Sequence, residues 1–270
     1  MEFFLQPLSY AFMQRGLLAG TMVGILCAVI GTYVVLRGMA FLGDALAHAI
    51  LPGVAIAYLF GGNLPLGALA AAIVVAIGIG YFSRQGTVKE DTAIGILFAA
   101  ALSLGVAMIS SIRTYAVDLS HILFGNVLGV SPTDLWLTAG LGLAVLLTVF
   151  LLYRPFMVIS FDPVLAATLR LPTELLRNIM LILLAVTIVV SLQTVGVGLG
   201  AAMLVTPAAT AYLLTKRLSS MMLVSAGLGA LSSIVGLYIS YYLNIVSGSA
   251  IVLTATAIFM IVFLVKRGKR

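Results

Sequence analysis

The sequence predicts an all-α, polytopic transmembrane helical bundle, and three observations predict it. Of the 270 residues, 63% are hydrophobic and only 8% are charged. A soluble domain carries about 25% charged residues, so this chain cannot clothe a water-facing surface of its size. Long windows lack Asp, Glu, Lys and Arg altogether, and a helix needs about 20 apolar residues to cross the hydrocarbon core. The basic residues gather in alternate loops, as the loops of a membrane protein do. The length suits a single membrane domain over residues 1–270 with no soluble domain beside it.

The spans follow from the charge-free windows. Gly16–Leu36 is the first. Ala45–Ser83 is double length and breaks at Gly61-Gly62-Asn63-Leu64-Pro65, giving two. Thr92–Ile112 and Leu135–Tyr153 give one each. Asn178–Thr215 is double length with a turn expected near Gln193–Gly198, and Leu218–Val265 turns near Asn244–Ser249. The total is about nine spans. The first apolar run follows Arg15 and is long enough to span, so no cleavable leader is expected.

Net charge is +6, with 14 basic against 8 acidic residues. The basic residues are scattered over short loops, which argues for membrane topology and against a nucleic-acid partner. With alternating spans, Arg37, Arg84, Lys89, Arg154, Arg170, Arg177, Lys216, Arg217, Lys266, Arg267, Lys269 and Arg270 fall on one side. That side is cytoplasmic. Arg15 and Arg113 are exceptions, and an odd span count puts the N-terminus outside. Cys27 stands alone, so neither an intrachain disulfide nor a thiolate metal site is available.

One cytoplasmic segment is longer than a turn needs. Asp162 before Pro163 is a good helix start, with the carboxylate as N-cap and proline at the first helical position. Val164, Leu165, Thr168 and Leu169 then share a face, and Pro172 ends the helix. Such a helix either lies on the headgroups or docks a cytoplasmic partner.

Six of the eight acids have ordinary structural places. Glu2 is in the N-terminal tail, Glu90 and Asp91 open span four, Asp134 opens span five, and Asp162 and Glu174 flank the cytoplasmic helix. Asp44 and Asp118 remain. Asp44 lies four residues before His48, and Asp118 three residues before His121, and the chain has 2 histidines in all. Both spacings put the two side chains on one helix face. An ionised carboxylate facing lipid costs about 2.5–3.5 kcal/mol, so Asp44 is expected to turn inward. Gly43, Ala45, Ala47 and Ala49 around it let neighbouring helices approach. Pro52 removes one backbone hydrogen bond and is expected to kink the span.

Either pair taken alone is as readily an internal hydrogen bond or a pH-sensitive contact as a metal site. Together they form a mixed oxygen and nitrogen set suited to a divalent first-row metal. Carboxylate favours Mn²⁺, imidazole suits Fe²⁺ and Zn²⁺, and the absence of thiolate argues against Cu⁺. Simple topology separates them. His48 lies roughly 10 Å into a span that starts inside, while Asp118 follows span four outside. A shared site therefore requires a re-entrant segment after Asp118, for which the apolar run Ile122–Val130, broken by glycine and asparagine, is suited. No GxxxxGK[ST], HExxH or GxSxG pattern occurs, so neither nucleotide hydrolysis nor covalent catalysis is expected of this chain.

At these residues the sequence resembles the membrane permease subunits of the manganese/zinc/iron class of ABC transporters. The resemblance is carried by Leu36-Arg37-Gly38-Met39 with Gly43–Ala55, by Glu90–Ile96, by His121–Asn126 and by Thr206–Tyr212. It implies one transmembrane permease domain in the cytoplasmic membrane of a prokaryote. It also implies a homodimer of this subunit, two cytoplasmic ATPase subunits that hydrolyse ATP on separate chains, and an extracytoplasmic metal-binding lipoprotein. Asp44, His48, Asp118 and His121 would coordinate the transported ion, which is cargo and not a permanently bound cofactor. The helix of Asp162, Pro163, Val164, Leu165, Ala166, Thr168, Leu169 and Arg170 would be the coupling helix to the ATPase. Zinc-type members typically lack the histidine matching His121, which tilts the expected cargo to Mn²⁺, with iron and zinc next. The other readings are a stand-alone metal carrier or channel driven by an ion gradient, and an ABC permease for a larger chelate.

Overall fold

The computed structural model describes residues 6–84, 89–110 and 127–268. The described elements are helices: α1 (Ala11–Leu36), α2 (Ala40–Ala49), α3 (Leu51–Leu59), α4 (Leu64–Arg84), α5 (Glu90–Ser110), α6 (Pro132–Leu151), α7 (Tyr153–Phe161), α8 (Pro163–Thr168), α9 (Thr173–Val195), α10 (Val197–Leu214), α11 (Leu218–Leu243) and α12 (Ser247–Arg267). Two 3-10 turns, Pro7–Ser9 and Val127–Gly129, accompany them.

Among the described residues, 8 helical stretches are long and apolar enough to cross a membrane, counting α2 and α3 as one. The ninth expected crossing is α10. Its 18 residues reach about 27 Å at 1.5 Å per residue. The breaks fall where chain chemistry requires them. Gly61 takes φ 63°, and the Asn63 side chain accepts from the Leu66 amide at 3.2 Å to start α4. Gly196 takes φ 89° between α9 and α10, a conformation that L side chains resist. Asn244 closes α11 in the left-handed region at φ 53°. The kink expected at Pro52 falls at Ile50, which separates α2 from α3 while keeping helical angles of φ −75° and ψ −18°.

Contacts at the two faces fix the threading. Leu36, Phe161, Lys216, Arg217 and Lys266 line one pocket, Arg37 pairs with Glu90, and Arg177 donates to the carbonyl of Gly80. The ends of α1, α4, α7, α10 and α12 and the starts of α5 and α9 therefore share a face. At the other face, the Tyr10 and Tyr241 rings lie 6.3 Å apart. The two ends of the described chain thus lie on opposite faces, as an odd number of crossings demands. The basic loops collect on the face of Leu36, which is cytoplasmic.

α1 is the central post. It is largely buried and packs against α11, α10, α9 and α6. Small residues let the backbones meet. A Cβ on Gly24 would strike the carbonyl of Gly229 at 2.7 Å, and the buried Ser225 hydroxyl donates to the carbonyl of Ala28 at 2.9 Å. Gly53 and Gly67 face each other between α3 and α4 in the same way.

Two expectations need correction. The stretch after Leu151 is helical from Tyr153 onward, where no helix was expected before Asp162. Pro155 is tolerated in its first turn, and the buried Phe156 ring holds it by an edge-on contact with Tyr33 at 5.7 Å. The cytoplasmic helix α8 ends at Thr168, before Pro172 is reached. Arg170 adopts φ 54°, its amide bonds Ala167, and the amide of Leu171 bonds Ala166. This is a Schellman cap, with arginine where glycine is usual.

Candidate metal site

Asp44 and His48 lie on α2, which is buried almost throughout. Leu42, Gly43, Ala45, Leu46, Ala47, Ala49 and Ile50 are all buried. Ala40 and Phe41 at its start are exposed, and beyond them Asp44 and His48 are the two residues left partly open, with side chains 44% and 32% exposed. One helix face is therefore left open, and it carries the two polar groups. Depth is set by two neighbours. Gly43 packs on Ala201 and Leu204, in the half of α10 that starts at the outer face. The His48 ring lies 6.1 Å from Phe98, which is eight residues, or about 12 Å, into α5 from the cytoplasmic face. Phe41 meets the same ring edge-on at 5.7 Å. The pair thus stands within the membrane beside an aromatic wall.

Asp44 Oδ1 and His48 Nε2 are 3.7 Å apart. That is too long for a hydrogen bond and short enough for both atoms to reach a common ion. A carboxylate so placed cannot face lipid cheaply; it needs a polar path or a cation. Among the described residues, no group of three or more His, Cys, Asp and Glu side chains converges. Asp44 and His48 thus supply two donors, and an ion held here needs more. Asp118 and His121 lie outside the described residues. The end of the segment that follows them is visible. Val127 and Val130 are buried, and the Val127 carbonyl and Leu128 side chain sit against Gly16 near the outer end of α1. Residues 127–130 therefore pack on the bundle at its outer end, where α6 begins.

The ion pair of Arg37 and Glu90 was not anticipated. Glu90 opens α5 as expected, but it also meets Arg37 at 3.1 Å with both side chains mostly buried. Burial lowers the Arg37 pKa, the Glu90 charge opposes that shift, and the nearby Arg177 adds to it. The pair ties α1 to α5 on the cytoplasmic side of the Asp44–His48 face. Both residues sit in the motifs that carried the family resemblance, the one sequence signal that singles them out. The described acids that cap helices hold their expected places. Asp134 forms a capping box with Ser131, and Asp162 Oδ1 accepts from the amides of Val164 and Leu165 at 3.0 and 2.9 Å. On α8, Val164, Leu165 and Leu169 are exposed while Ala166 is buried, so an apolar face points away from the bundle.

Eight apolar spans and the shorter α10 among the described residues, with a carboxylate and an imidazole on one helix within the bundle, define a polytopic membrane protein of the transport type. The chain belongs to the ABC 3 transport family, whose model matches residues 9–266. It is 50% identical to the manganese transport system membrane protein MntC of Halalkalibacterium halodurans, over 97% of this chain and 89% of that protein. It is 40% identical to a probable iron transport system membrane protein of Haemophilus influenzae, over 96% of each chain. Its structure matches PsaBC from Streptococcus pneumoniae, solved in complex with Fab, with TM-score 0.85 and 40% identity, covering 97% of this chain and 94% of that one.

Proposed function

We propose that this chain is the membrane permease subunit of an ATP-driven importer for a divalent transition metal, manganese first. The observation that carries the reading is the open Asp44–His48 face at membrane depth, in a chain that matches a transport family almost end to end. Relatives named for manganese transport support the cargo. Donor chemistry agrees, since carboxylate with imidazole and no thiolate suits Mn²⁺, and Cys27 is buried in α1.

In this reading Asp44 and His48 bind the ion together with Asp118 and His121. Four protein donors replace part of the ion's hydration shell, and the carboxylates offset its charge inside a low-dielectric bundle. The subunit works as a homodimer in the cytoplasmic membrane. A metal-binding lipoprotein delivers the ion from outside, and ATPase subunits dock on the exposed apolar face of α8 from inside. ATP is hydrolysed on those separate chains.

The test is reconstitution of the chain with its ATPase and binding protein in liposomes, followed by ATP-dependent uptake of Mn²⁺, Zn²⁺ and Fe²⁺. Uptake of Mn²⁺ that requires ATP and is lost in Asp44→Ala and His121→Ala supports the reading. Uphill uptake by the chain alone would make it a carrier, and full uptake by His48→Ala would remove the ligand role.

A further inference from the structure

Beside α7, at the cytoplasmic face, α10, α11 and α12 enclose a pocket of about 440 Å³ that the transport reading does not use. Lys216 and Arg217 reach it from the loop after α10, and Lys266 reaches it from the end of α12. Tyr212 and Thr215 add hydroxyls, and none of the described lining residues is acidic. Among the described residues, none of the three cations forms an ion pair. Lys266 donates to the carbonyl of Leu213, which closes the C-terminal end of α10 and leaves two of its three donors.

The pocket does not stand alone. Lys266 also lines an adjoining groove of about 320 Å³ whose other walls, Leu213, Leu214, Ile261, Val262 and Val265, are wholly apolar. The groove runs between α10 and α12 on a surface where Leu214, Ile261 and Val265 are exposed, an apolar surface suited to lipid contact. A cationic pocket at the headgroup level, continuous with an apolar groove along two spans, has the shape and polarity of an amphiphile. Basic pockets between spans on the cytoplasmic side hold anionic headgroups.

We propose that this is a binding site for an anionic phospholipid of the cytoplasmic leaflet, its phosphate among Lys216, Arg217 and Lys266 and one acyl chain in the α10–α12 groove. A docked protein would meet the three cations but has no use for a groove that descends into the membrane. A free phosphate would likewise leave the groove empty. The pocket also includes Phe161, immediately before the Asp162 cap of α8, so the lipid borders the segment assigned to ATPase docking.

Native mass spectrometry of the full chain, released from nanodiscs with equal phosphatidylglycerol and phosphatidylcholine, tests this. Phosphatidylglycerol is expected to be retained over phosphatidylcholine. The triple variant Lys216→Gln/Arg217→Gln/Lys266→Gln should weaken that retention by about a hundredfold, about fivefold for each cation. Val262→Phe, which leaves every cation in place and fills the groove, should weaken it as well, whereas Lys266→Arg should preserve it. Melting temperatures in phosphatidylcholine show whether each variant is folded; if the triple variant is not, Val262→Phe and the single Lys216→Gln carry the test. Equal retention of the two lipids would overturn the proposal. So would indifference to Val262→Phe, which leaves only a phosphate site. A triple variant that keeps its lipid but loses its ATPase partner would also overturn it and make the pocket a protein-docking surface.

Discussion

At the residue scale, Asp44 and His48 are set apart as the two partly open side chains in the buried stretch from Leu42 to Ile50. Removing an outer-shell partner of a metal site costs about 10–100-fold in affinity or activity, so if Asp44 and His48 ligate the ion as proposed, losing either should cost at least that. Asp44→Ala and His48→Ala should each lower Mn²⁺ uptake in liposomes by that factor or more, with melting temperature little changed because both side chains border open space. Arg37 and Glu90 behave oppositely. Breaking a buried pair by removing one partner costs about 3–5 kcal/mol, and this pair retains some solvent, so Glu90→Ala should cost about 3 kcal/mol. Arg37→Met/Glu90→Leu should restore most of that, since an apolar pair of similar size strands no charge. Thermal unfolding of the single and double variants in detergent measures both. The Asp–His spacing was legible in the sequence because i,i+4 neighbours share a helix face whatever the tertiary fold. The Arg37–Glu90 contact was not, because it joins residues 53 apart and depends on how α1 packs against α5.

At the element scale, the helices were legible wherever the backbone itself decides. The breaks at Gly61-Gly62-Asn63, Gly196 and Asn244 all involve residues that tolerate positive φ or cap a helix, and all were visible as turn signals. The end of α8 was misplaced because a Schellman cap on Arg170 closes the helix before Pro172 can act. Helix α7 was missed because its stability comes from tertiary burial of Phe156, which no local pattern reveals. For α8 both sequence readings, lying on headgroups and docking a partner, use the same exposed face. Its exposed face holds Val164, Leu165 and Leu169, of which Val164 is 74% exposed. If α8 docks the ATPase, Val164→Asp and Leu169→Asp should weaken co-purification of the ATPase by at least about tenfold, or ~1.4 kcal/mol, and leave the melting temperature unchanged. If α8 only rests on lipid, co-purification is unaffected and membrane partitioning of the free segment falls instead.

At the scale of the whole molecule, the decisive question is whether α10 crosses. It is the shortest of the described spans, and its 18 residues lie near the lower end of the range that crosses a bilayer. Tertiary contacts settle its direction. α9 begins on the cytoplasmic face, where Arg177 meets Gly80, and the chain is back on that face at Lys216, which shares a pocket with Leu36. Only a crossing by α10 allows both. Cysteine labelling reads this directly, because the single native thiol, Cys27, is buried and contributes little background. An impermeant maleimide applied to intact cells should label Ser9→Cys and Val246→Cys from outside. It should label Leu169→Cys and Gly268→Cys only after permeabilisation. All four positions are exposed. Were α10 to stay within one leaflet, α11 would start outside, so Val246→Cys would become protected and Gly268→Cys accessible while Ser9→Cys and Leu169→Cys stayed the same. The pattern at Val246 and Gly268 therefore separates nine crossings from eight. With it goes the cytoplasmic placement of Lys216, Arg217 and Lys266.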